Sequence, residues 1–337
     1  MSPESFTYHL RVAILFTAIF VIGWASISHI VNAHQEQKLD PTAWGKNHAG
    51  EPVPDFVTGG ECLFCHRNTI GATWQKNAHG VTIQQREDAP QWKDIFLGQL
   101  KLAPLAKEIE FYLGSRNHLR FLKKSGYGKF AILNTHATLD ANDKVTNWTD
   151  AETPTWDKDK FANRCVGCHA TGVDEKNKTF AQFGHDCYVC HGVVNLEHTN
   201  NTSLILLSKK SRTQPQVVTS ICASCHLRGG TAKSTGLPYP NNFVPGDNLF
   251  QDYQVDFAKA DDESLNAGDR HVYRNVRDVV IFGKTVTCLS CHSVHGNSAT
   301  KHRLTPKTAI CSDCHNTETS VYKPAKAYTV KSPLCEY

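Results

Sequence analysis

The sequence predicts a mostly irregular fold of short α-helices with one small β-hairpin region, wrapped around a row of six bound groups. Three observations predict it. Twelve of the 13 cysteines in 337 residues fall into one pentapeptide that occurs six times. Beyond an apolar start, that leaves roughly 50 residues per repeat, too few for each unit to build its own side-chain core. Strand-like alternation is confined to residues 114–139, inside 67–164, the only long run free of the repeat.

The apolar run Val12–Val31 has the length of a helix that crosses a hydrocarbon core of ~30 Å. A cleavable signal has a shorter apolar region behind a basic start. Here Arg11 is offset by Glu4, although Val31-Asn32-Ala33 offers a small-residue cleavage site. Residues 1–33 are therefore read as a single-pass inner-membrane anchor, with cleavage near Ala33 and a soluble periplasmic or exported product as the alternative. Both readings put residues 34–337 outside the cytoplasm.

The repeat is Cys-x-x-Cys-His. It occurs at Cys62, Cys65, His66; at Cys165, Cys168, His169; at Cys187, Cys190, His191; at Cys222, Cys225, His226; at Cys288, Cys291, His292; and at Cys311, Cys314, His315. Two thiols three positions apart can each add to one vinyl group of the same haem, and the adjoining histidine then reaches the iron. Structural zinc and disulfides are the bland alternatives. Neither needs a histidine after every second cysteine. Covalent haem c, six per chain, is the reading, with Cys335 left over as a thiol near the C-terminus.

Between the motifs, Gly114–Phe121 and Lys129–Leu139 read as two strands around Ser125-Gly126-Tyr127-Gly128, and Lys93–Tyr112 reads as a helix interrupted by Pro104. Residues 67–164 thus form an inserted β-containing region of the 34–337 domain. Motifs two and three, and motifs five and six, lie so close in sequence that their haems are neighbours. Residues 229–270, rich in Gly, Pro, Asn and Asp, read as a long loop over the haems. With so little chain per haem, the porphyrins are expected to supply much of the buried apolar surface.

Several stretches resemble the cytochrome c554-like family of multihaem c-type cytochromes: Trp74…His79 after motif one, Gly114…His118…Arg120, Cys168-His169-Ala170-Thr171-Gly172, Cys190-His191-Gly192…Glu197-His198, and Cys291-His292-Ser293-Val294-His295-Gly296. The likeness covers about residues 55–316 in order. It implies closely packed haems more firmly than a particular physiological role. His136 falls in a strand that the family pattern does not place.

Each iron needs a sixth ligand. The single methionine is Met1, ahead of the apolar segment, so methionine cannot serve. His34, His48, His79, His118, His136, His185, His198, His271, His295 and His302 are the histidines available. The preferred distal set is His79, His118, His198, His271, His295 and His302, with His136 or His185 in place of His302 as alternatives. Irons with two histidines have both axial positions filled, which favours electron transfer over substrate chemistry. Haem propionates would find cations in Arg116, Arg120, Arg164 and Arg228. The expected partners are a redox protein or quinol-linked membrane complex, and the membrane through residues 1–33. A formal charge of +4 with scattered basic residues gives no nucleic-acid footprint. The alternatives are a multihaem oxidoreductase with one open haem acting on a small nitrogen or sulfur compound, and a filament subunit in which His34 or His48 ligates the next copy's haem.

Overall fold

The computed structural model describes residues 48–49, 51, 59–114, 118–140, 142–174, 176, 178–194, 196–208, 214–240 and 243–296. The apolar segment at 1–33, His302, motif six (Cys311, Cys314, His315) and Cys335 lie outside the described residues. Among the described residues no helix is long and apolar enough to cross a membrane.

Strands β1 (Ile83–Gln85), β2 (Phe111–Leu113), β3 (His118–Gly126), β4 (Lys129–Leu139) and β5 (Val145–Thr149) follow one another across an antiparallel sheet, and β6 (Trp156–Asp157) also pairs with β4. The second strand stands where the sequence puts it. The first runs from His118 to Gly126 instead of Gly114 to Phe121, because the eleven residues of β4 supply it with partners as far as Gly126 opposite Lys129. That register leaves Tyr127-Gly128 as a two-residue turn, with Gly128 at φ +63°, where a side chain would be strained.

Both faces of the sheet are covered. Leu119, Phe121, Leu133 and Ala137 pack with Trp92, Phe96 and Leu102 on one side, while Leu122, Phe130 and Ile132 pack with Phe111, Phe161 and Val166 on the other. Here the sequence expectation fails: Lys93–Tyr112 is not a helix. Gly98 takes φ +82°, Pro104 opens a short 3-10 turn (Ala103–Lys107), and Phe111 onward is claimed by the sheet. Tertiary pairing and two chain-breaking residues override a weak apolar periodicity.

The helices are short and mostly sit on the motifs: α1 (Gly59–His66), α2 (Val166–His169), α3 (Tyr188–His191), α4 (Pro215–His226), α5 (Leu249–Asp252), α6 (Ala267–Val280) and α7 (Cys288–Cys291). Helix α1 runs on through a π turn (Arg67–Gly71) and one more turn (Ala72–Trp74). Strands β7 (Ala170–Asp174) and β8 (Thr179–Phe183) form a hairpin that joins motifs two and three. Strands β9 (Thr231–Ala232) and β10 (Tyr253–Gln254) form a short antiparallel pair across a long connection. The stretch 229–270 is more than a covering loop. Leu249, Tyr253 and Ala260 bury against Ala223 of α4 and against Tyr273, Val276 and Val279 of α6, making a third apolar cluster. Two sheet faces and this cluster give the polypeptide a side-chain core of its own, which the sparse spacing of motifs did not lead one to expect.

Candidate haem-binding centre

Each described motif presents its two cysteines from a helical turn, because residues three apart in a helix share a face, and the histidine follows in that turn or, at His292 of motif five, just past it. Motif one lies in α1, motif two spans α2, motif three spans α3, motif four ends α4, and motif five spans α7. Helix α4 touches both α2 and α7, so motif four sits between motifs two and five. Among the described residues no two cysteines are joined in a disulfide. Among the described residues no three His, Cys, Asp or Glu side chains converge on one point as a zinc cage would require.

The histidines meet in pairs from distant parts of the chain. The His198 ring lies 6.1 Å from His66, stacked at 25°. The His295 ring lies 5.9 Å from His191, stacked at 21°. The His79 ring lies 6.0 Å from His226 at 67°. Two imidazoles on opposite sides of one metal, each with a metal–nitrogen bond of about 2.0–2.1 Å, have centroids roughly 6.3 Å apart. All three pairs fall within a few tenths of an ångström of that value.

Chemistry agrees with geometry. His191 Nδ1 is 2.7 Å from the Leu206 carbonyl, so Nδ1–H donates there and Nε2 is left as the ligand atom. Burial lowers the pKa of His191, His226 and His295, and pushes His169 down to about 4 with His185 as the next cause. A neutral imidazole is the form that ligates. Burial likewise pushes Cys190 and Cys187 up to about 12, keeping both thiols protonated.

The surroundings fit a flat apolar group. Phe64 in motif one is 87% exposed, and Val193 after motif three and Val286 before motif five are more than half exposed. Apolar side chains beside the attachment loops are what a porphyrin face would cover. A shallow cleft opens between motifs two, three and four, lined by Gly167, Val189, Cys225 and Phe243 among others.

Other predicted ligands fall elsewhere. His118 and His136 come together on β3 and β4, their rings 5.7 Å apart and nearly perpendicular. Arg120, opposite His136 in the ladder, acts electrostatically on Cys165 and His169, so this corner of the sheet faces motif two. Arg228 acts on Cys168, His169 and His226, and Arg164 on Cys165; Arg116 lies outside the described residues. His271, on α6, is near His292 of motif five. His185 bonds the Cys168 carbonyl through Nε2 at 2.9 Å, and its ring lies 5.9 Å from that of His79. His48 is held by Asp247, with Nδ1 at 2.8 and 2.9 Å from its carboxylate oxygens.

Sequence reasoning missed two buried polar residues that organise these loops. Asn77, 1% exposed, donates to the Val294 and Gly296 carbonyls on either side of His295 and accepts from the His79 N–H. Asp186, 3% exposed, accepts from the Gly59 and Tyr188 N–H groups. Asn77 stands inside the Trp74–His79 segment, which was a signal. Nothing near Asp186 in sequence marks it, because its main partner is 127 residues away.

The profile of the Cytochrome c554 and c-prime family matches residues 124–192, and that of the Doubled CXXCH motif matches residues 282–320. The chain is a multihaem c-type cytochrome. Together the two matches cover less than half of its length. The cytochrome also superposes on the crystal structure of Outer Cell Wall Cytochrome OcwA with a TM-score of 0.54 and 22% identity, covering 78% of this chain and 68% of that one. It superposes on the undecaheme cytochrome from the S-layer of Carboxydothermus ferrireducens with a TM-score of 0.42 and 17% identity, covering 79% of this chain and 44% of that one. The first likeness shows a shared fold of short helices and small antiparallel sheets. No curated protein matches the cytochrome.

Proposed function

We propose that this cytochrome relays electrons through six covalent haems, one per Cys-x-x-Cys-His motif, on the outer side of the inner membrane. Residues 1–33 would hold it there or be removed after export. The observation that carries the reading is the meeting of His66 with His198, His191 with His295 and His79 with His226 at the spacing of axial ligand pairs. Each pair would fill both axial positions of one iron, leaving that iron no site for a substrate. Bound haem supplies one-electron chemistry; the polypeptide supplies attachment, axial nitrogens and spacing. Motif two would draw on His118 or His136, motif five on His271, and motif six on His302. Its partners would be a redox protein or a quinol-linked complex.

One observation favours a second reading. His169 has no histidine ring stacked against it among the described residues, and its Nδ1 is buried without a hydrogen-bond partner. Should the His118–His136 pair stay on the sheet, motif two's iron would keep an open position beside Arg120, suited to a small nitrogen or sulfur oxyanion.

The test joins three measurements on mature protein. Mass spectrometry of the denatured chain is expected to show six haem additions. Low-temperature spin resonance is expected to show only low-spin irons, and His198→Ala and His295→Ala are each expected to convert one iron to high spin, at motifs one and three. A high-spin iron in the wild-type protein with sustained turnover of nitrite, hydroxylamine or sulfite would transfer the case to the second reading.

A further inference from the structure

Motifs one and three are 125 residues apart by their first cysteines, Cys62 and Cys187, yet a single carboxylate stands between them. Asp186 Oδ2 accepts from the first N–H of α1, that of Gly59, at 2.6 Å. Its Oδ1 accepts from Tyr188 N–H, in the attachment loop of motif three, at 3.0 Å. Its own N–H donates to Thr171 Oγ1 at 2.9 Å, and that hydroxyl donates to the Gly184 carbonyl at 2.8 Å. The clamp leaves no space at Gly59, where an added Cβ would stand 2.8 Å from Asp186 Oδ2. Asp186 is 3% exposed, and among the described residues no Lys, Arg or His forms an ion pair with it. The carboxylate is thus buried, bonded by backbone donors of both segments, and directly beside two haem attachment loops. Its charge reaches both thioether positions nearest it, Cys62 and Cys187.

We propose that Asp186 is a positioning and potential-setting residue: it locks the attachment loops of motifs one and three together, and its fixed negative charge lowers the reduction potential of the haems at those two motifs. Reduction of each ferric iron by one electron adds one negative charge to the haem. A buried anion close by disfavours that added charge more than the oxidised state, and burial weakens the screening that water would provide. Two neighbouring haems made harder to reduce by one carboxylate would hand electrons on readily to the haems beyond them. This inference rests on the reading that motifs one and three carry haem.

The test is a spectroelectrochemical titration of the wild-type protein, Asp186→Asn and Asp186→Ser, with haem content by mass and spin state by resonance. Both variants remove the charge and retain one acceptor. Two of the resolved components are expected to shift upward, with the reduced-to-oxidised ratio at fixed potential rising on the order of tenfold, which is about 59 mV for one electron. Asp186→Glu keeps the charge and is expected to leave both components in place. Fully loaded neutral variants whose components do not move, or all move equally, overturn the inference while leaving the relay intact. Missing haem at motif one or three in the wild-type protein removes the relay reading instead. If neither neutral variant matures, haem-by-haem potentials of the wild-type protein from paramagnetic resonance decide. Motifs one and three must then fall in the lower half of the series, and finding them at the top overturns the inference.

Discussion

Asn77 shows how much a single buried side chain does here. Its amide donates to the Val294 carbonyl at 2.6 Å and the Gly296 carbonyl at 3.2 Å, and its oxygen accepts from the His79 N–H at 2.9 Å. One residue therefore ties the loop of His79 to the loop of His295, the two histidines that meet motifs four and three. Asn77→Ala would take the amide away from two carbonyls and one N–H in a part-buried site. The expected cost is about 1–3 kcal/mol in stability, read by thermal melting. Spin resonance on the same variant is expected to show a high-spin fraction at two irons, not one; unchanged low-spin signals would deny Asn77 this role. The residue types at such a site are visible in sequence, but the pairing is not. Asn77 and Val294 are 217 positions apart, and nothing local reports the contact.

At the scale of elements, the sheet and the helices divide the work. Phe121 on β3 is fully buried, with ring centroids 4.7 Å from Phe96 and 5.9 Å from Trp148. Phe121→Ala is expected to cost about 3–5 kcal/mol by chemical denaturation, from lost burial plus the cavity left. Because Phe121 faces away from the cluster that holds Phe161 and Val166 of motif two, the ligand-sensitive spectrum of the folded variant is expected to match that of the wild-type protein. A spectrum altered in the folded variant would show that the sheet reaches the haems from both faces. Helix α6 is set by a local signal: Asn266 Oδ1 accepts from Asp269 N–H at 2.9 Å at its start. The β4 alternation and the Gly128 turn were legible in sequence, since each is a contact between residues a few positions apart, whereas the Asn266 cap falls inside the stretch 229–270, which reads as loop from sequence. The segment 93–112 was not, because its fate depends on which strand edge claims Phe111.

Across the whole molecule, the histidine pairs act as long-range ties. They join 66 with 198, 79 with 226 and 191 with 295, and α4 lies against α2, α6 and α7. Secondary structure followed in the far ultraviolet and ligation followed in the haem absorption band are expected to be lost in one coincident transition. His79→Ala, which cuts the tie between the sheet side and motif four, is expected to separate the two curves. Curves that stay together in that variant would mean that side-chain packing alone couples the regions.

The sequence by itself determined the cofactor class, because covalent attachment needs two thiols and a histidine within five consecutive residues. It also determined which histidines were available. Only the tertiary structure decided which of them meet, that His48 and His185 are engaged by Asp247 and the Cys168 carbonyl, and that one carboxylate stands between motifs one and three. The physical reason is range. Attachment chemistry is local along the chain, whereas an axial pair or a shared charge forms only where folding brings segments more than 100 residues apart to within a few ångströms.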